Sequence, residues 1–118
     1  MKLVDKVNTN KDIIYLDDFI YKDFHSIRCS TRKDVDACLN ALEELGYEWN
    51  NSYKATEVMK YNAVFKNTYE SLRFNGIHFF VEADKRIYWC STSELEPDET
   101  WVDYKAGQTI IVDTRKDK

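Results

Sequence analysis

A chain of 118 residues and 14.0 kDa, 43% hydrophobic and 32% charged, amounts to one domain and can bury a core without disulfides or a structural metal. Its 17 Lys and Arg against 21 Asp and Glu leave a net charge of −4, the reverse of the basic face that direct nucleic-acid binding needs. The longest apolar runs, such as Ile77 to Val81 around a single His, are far too short to cross a bilayer.

The N-terminal MKLVDKVNTNKD holds no apolar stretch of signal-peptide length, so a cytoplasmic protein is expected. Cys29, Cys38 and Cys90 are odd in number and form no C-x-x-C pair, which fits free thiols rather than a disulfide framework or a zinc site. The chain is expected to form a single α+β domain over residues 1–118, with 1–11 and 115–118 loosely held and no cofactor.

Ile13 to Leu16 and Phe24 to Cys29 read as short strands, with Asp17-Asp18 as a turn between them. Thr31 is the expected N-cap of a helix over Arg32 to Leu45, with Asp34 as the acid of a capping box. Val35, Cys38, Leu39, Leu42 and Leu45 recur at three- and four-residue spacing and form its core stripe, while Arg32, Lys33, Asp36, Asn40, Glu43 and Glu44 face water. Gly46 is the left-handed stop, and Tyr47 and Trp49 follow it as anchors.

Thr56 to Phe65 is compatible with a second, shorter helix carrying Val58, Tyr61 and Phe65 on one side. Tyr69 to Phe74 alternates as a strand, and Asn75-Gly76 predicts a hairpin into Ile77 to Glu82. Arg86 to Ser91 completes an expected three-stranded meander across Ala83-Asp84-Lys85. After an acidic loop, Thr100 to Tyr104 reads as strand or helix, Ala106-Gly107 as a turn, and Gln108 to Thr114 as a last β-rich run. The architecture is then a mostly antiparallel sheet of about five strands, with one clear helix and a possible second on one face.

Chemistry is harder to locate. His25, Cys29, His78 and Cys90 supply the residue types of a metal or thiol site, but no pair has zinc-ligand spacing. Cys29 precedes a helix N-terminus, which lowers a thiol pKa; His25 lies four strand residues away, roughly 13 Å and beyond hydrogen-bond reach. Catalytic and metal sites are therefore not expected.

Glu94, Glu96, Asp98, Glu99 and Asp103 place five carboxylates within ten residues, with Trp101 among them and no base. A solvated loop is the plain reading. The functional one is a surface that imitates nucleic-acid charge and is steered toward a basic groove on a partner protein. Arg86 to Ser91 is apolar on both faces, Ile87 and Trp89 against Tyr88 and Cys90, so something should cover the second face. A homodimer is the preferred cover over a ligand pocket in which Arg28, Arg73, Arg86 and Tyr88 hold a nucleotide.

Cys29-x-Thr31, the amphipathic helix, Gly46-Tyr47-x-Trp49, Asp84-Lys85-Arg86-Ile87-x-Trp89 and Gln108-Thr109-Ile110-Ile111-Val112 together resemble small accessory proteins encoded by phages and prophages of Firmicutes, over roughly residues 24–113. The stretch Lys54 to Tyr69 departs from their compact pattern. The resemblance implies a non-enzymatic protein that inhibits a host defence component, in the manner of anti-CRISPR proteins, or else an oligomeric sponge for a cyclic or ADP-ribose-type signalling nucleotide. It assigns no active-site residue.

Overall fold

The computed structural model describes residues 13–16, 19, 25–49, 51–95 and 99–111. The expected turn at Asp17-Asp18, the loosely held ends at 1–11 and 115–118, and the strand residues beyond Ile111 lie outside them.

Seven strands and three helices are described: β1 (Ile13–Tyr15), β2 (Ser26–Cys29), α1 (Arg32–Glu44), β3 (Glu48–Trp49), α2 (Val58–Tyr61), α3 (Ala63–Glu70), β4 (Ile77–Val81), β5 (Arg86–Ser91), β6 (Trp101–Asp103) and β7 (Thr109–Ile111). Five strands form one sheet in the order β3-β5-β4-β2-β6, and β1 pairs with β7 in a separate parallel ribbon. The central pairs, β5-β4 and β4-β2, are antiparallel; both edge strands join in parallel. The longest ladder is antiparallel, as in an α+β fold.

α1 forms for the reasons its sequence gives. Thr31 accepts a hydrogen bond from Asp34 N at 3.1 Å, satisfying an otherwise orphaned donor of the first turn. At the other end Tyr47 N donates to Leu42 O and Gly46 N to Glu43 O, both at 3.0 Å, with Gly46 at φ +89°. This is a Schellman closure, for which a residue without Cβ is preferred. Val35, Cys38, Leu39 and Leu42 are buried; Leu45 is half-buried as the C-cap. The capping box is not closed, because the Asp34 carboxylate instead accepts from Ala106 N at 2.8 Å and ties the helix start to the β6–β7 loop.

The second helical region runs longer than expected and breaks in the middle. Asn62, at φ −112° and ψ 96°, leaves the helical region and caps α3 by accepting from Phe65 N at 2.9 Å. Phe65 then reaches the core with its ring edge-on to Trp49 at 6.0 Å and Trp89 at 4.9 Å. Such aromatic pairs add to the burial of their area.

Three expectations for residues 69–91 are corrected. Tyr69 to Phe74 is not a strand: Tyr69 and Glu70 end α3, and the chain then turns irregularly to Asn75. Arg32 donates to the carbonyls of Tyr69 (2.5 Å) and Ser71 (2.6 Å) while lying over the Phe74 ring, so this helix-to-loop exit is held by a cation from α1. Asn75-Gly76 consequently turns no hairpin, and there is no 69–91 meander: β2 takes the place beside β4.

Alternation divides the sheet cleanly. Ile27, Cys29, Ile77, Phe79, Val81 and Ile87 point into the buried cluster shared with α1. Ile14 and Ile110 of the ribbon join that cluster, and α1 contacts both β2 and β7. Among the described residues no helix is long and apolar enough to cross a membrane.

Candidate functional site

The opposite, outer face of the sheet gathers most of the residues that the sequence singled out. Period-2 alternation places Tyr88 and Cys90 of β5, His78 and Phe80 of β4, Ser26 and Arg28 of β2, and Trp101 and Asp103 of β6 on it. Register fixes their neighbours: Arg28 faces His78 and Asp103, and His78 also faces Cys90. Tyr88 and Trp101 remain 42% and 38% exposed, whereas Ser26 and His78 are completely buried.

Trp101 explains that contrast. It is the register partner of Ser26, and His78 lies on the far side of β2, yet the Trp101 and His78 ring centroids are 5.4 Å apart with planes at 88°. The indole therefore crosses above the small Ser26 side chain. Beneath it Ser26 Oγ and His78 Nδ1 are hydrogen-bonded at 2.9 Å. Burial, and then the nearby Arg28 guanidinium, lower the His78 pKa from 6.5 to about 4, so the imidazole is neutral at pH 7.

The cations of this face are already matched. Arg28 donates to Asp103 Oδ1 at 3.2 Å; Arg86 donates to Glu48 Oε1 at 3.2 Å and to Trp49 O at 3.1 Å. Partly exposed pairs of this kind add little stability, but they leave neither guanidinium with an unmatched charge to offer a phosphate. Arg28 and Arg86 stand on β2 and β5 with β4 between them. Arg73 lies elsewhere, in the turn after α3, where its N–H donates to Ser71 Oγ. The candidate nucleotide residues Arg28, Arg73, Arg86 and Tyr88 thus do not converge.

The carboxylates of the acidic run behave differently. Cys90 is pushed up to about 11 by burial and then by Glu94 and Glu99, which brings both acids within electrostatic range of the outer face. Glu94 accepts from Ser91 N at 3.0 Å, closing a capping box on the short turn Thr92–Glu94. Neither Glu94 nor Glu99 makes an ion pair among the described residues. Glu96 and Asp98 lie outside those residues. A shallow depression beside Tyr88 is lined by Glu82, Ala83 and Asp84 and extends the acidic character toward the β4–β5 turn.

The thiol candidates are placed unfavourably for a nucleophile. Cys29 points into the core, and burial raises its pKa, overriding the expectation that the following helix lowers it. His25 is occupied at Nδ1 by Thr100 N at 3.2 Å. Among the described residues, no group of three or more His, Cys, Asp or Glu side chains is arranged to hold a metal ion.

Sequence reasoning passed over Ser26. Its alternation with Arg28 was legible, but its value lies in being small between two large side chains 23 residues apart, Trp101 and His78, and that needs the strand order. The fold and face define an α+β domain with an aromatic, acid-flanked sheet surface. No protein-family model matches the chain, and no curated protein or solved structure matches it.

Proposed function

We propose that the protein is a non-enzymatic binding protein whose outer sheet face occupies a basic surface of a partner protein. The observation that carries this reading is that Glu94 and Glu99 act electrostatically on Cys90, which belongs to the face that exposes Tyr88 and Trp101. Carboxylates that make no ion pair among the described residues steer a basic partner, and exposed aromatic side chains supply anchors of the kind that dominate binding energy. The resemblance to phage accessory proteins makes a host defence component the class of partner, and inhibition by occupancy the mode of action.

A homodimer through the same face is the competing arrangement. Twofold packing would bring the acids of both copies toward one another, whereas a basic partner relieves them. The test is affinity capture from host extract with the wild type, with Trp101→Ala and with Glu94→Gln/Glu99→Gln, followed by binding of the purified captured protein. A partner that both variants lose, and that salt releases, supports the reading. Equal capture by all three proteins, or native mass spectrometry showing only a homodimer blocked by Tyr88→Glu, overturns it.

A further inference from the structure

Arg28 Nε and His78 Nε2 are buried side-chain nitrogens that make no hydrogen bond among the described residues. They belong to residues paired directly across β2 and β4, with both side chains on the outer face. Buried polar atoms nearly always find a partner, and leaving one bare costs about 1–3 kcal/mol. Two such atoms on facing residues mark the position of a third group.

The chemistry of that group follows from protons and charge. The Ser26 hydroxyl makes no other hydrogen bond among the described residues, so its proton is given to His78 Nδ1 and the imidazole proton sits on Nε2. Arg28 Nε is always an N–H donor. The occupant must therefore accept from both. Gly76 brings backbone close to this pair, since a Cβ there would stand 3.5 Å from Arg28 Nε and 2.8 Å from Thr92 Oγ1. The charge of Arg28 is met by Asp103, and nothing is left over to offset the desolvation of a buried anion. Water fits: it accepts two N–H groups and returns a proton to a carboxylate, within the two to four polar partners that an interior water needs.

We propose that Arg28, His78 and Asp103 hold one interior water beneath Trp101, joining β2, β4 and β6 through a shared polar centre. The site is independent of the partner-binding reading. The test is nitrogen-15-edited NMR of the full chain near neutral pH. The expected result is a His78 Nε2–H and an Arg28 Nε–H that both cross-relax with a long-lived water and do not shift when chloride replaces gluconate at constant ionic strength. His78→Phe should abolish the water contact at Arg28 Nε–H; Arg28→Met, read at His78 Nε2–H, serves if that variant fails to fold. Resonances that shift to saturation with chloride make the occupant an anion and overturn the proposal. N–H signals without a water contact, or signals lost to fast exchange with bulk solvent, overturn it as well.

Discussion

Trp101 stands perpendicular to His78, 5.4 Å away between ring centroids, across a strand to which neither belongs. The contact joins the β6 edge of the sheet to its middle. It also means that one ring serves two purposes: its inner side closes over a buried Ser–His pair, and its outer side is part of the exposed face.

Acid should loosen this contact. His78 has a folded-state pKa of about 4, below its ordinary 6.5, so the folded protein favours the neutral ring. Between those values the unfolded chain binds more protons, and the His78 contribution is complete above pH 6.5 and lost as pH falls through 4. It amounts to at most about 3 kcal/mol. Urea unfolding at pH 7 and pH 4.5 should show a loss of stability that is smaller in His78→Gln. Trp101 emission of the folded protein, isolated as wild type minus Trp101→Phe, should titrate with a midpoint near the folded His78 value of about 4. A wild type and His78→Gln with equal pH dependence would refute the assignment.

Phe65 is the ring on which the helical layer meets the sheet, touching Trp49, Phe79 and Trp89. Phe65→Ala is expected to cost about 3–5 kcal/mol, the range for deleting a buried aromatic. Tyr61→Ala, whose half-buried ring stacks on the exposed Tyr53 at 4.1 Å, should cost markedly less. Chemical denaturation of the two variants measures the difference, and comparable losses would place Phe65 outside the core.

Gly76 and Gly107 form an internal comparison. Both have positive φ, +119° and +105°, but a Cβ on Gly76 would meet Thr92 Oγ1 at 2.8 Å and Cys29 O at 3.3 Å, while one on Gly107 meets nothing within 4 Å. Each Ala substitution carries backbone strain of roughly 1–3 kcal/mol. Only Gly76→Ala adds a clash, so its melting temperature should fall further. Equal falls would leave strain as the whole effect.

What the sequence revealed here was local. The Thr31 cap, the Val35–Leu42 stripe and the Gly46 stop are each specified within a turn or two, and each is present in the structure. The errors come where distant residues decide. Tyr69 to Phe74 alternates like a strand, but Arg32, 37 residues earlier, captures the carbonyl of Tyr69 and holds the helix end. The outer face was half legible, since Tyr88 and Cys90 opposing Ile87 and Trp89 marked two apolar sides. Its cover of Ser26 by Trp101 required the order β4-β2-β6, which local pattern does not encode.

The acidic flank makes its own kinetic prediction. Arg28 and Arg86 hold Asp103 and Glu48, so their fields are largely cancelled, while Glu94 and Glu99 meet no cation in an ion pair among the described residues. Charges at the rim of an interface act mainly on the rate of encounter, and their effect fades as salt shortens the Debye length from about 10 Å at 0.1 M. With the captured partner in hand, Glu94→Gln/Glu99→Gln should associate more slowly than wild type at low salt and at nearly the same rate at high salt, with dissociation little changed. Trp101→Ala should do the opposite, leaving association near wild type and speeding dissociation, because an aromatic anchor is felt once the surfaces have met. Stopped-flow association and surface dissociation rates separate the two. If neutralising Glu94 and Glu99 left the low-salt association rate unchanged, these carboxylates would be a solvated turn and the binding reading would rest on Trp101 and Tyr88 alone.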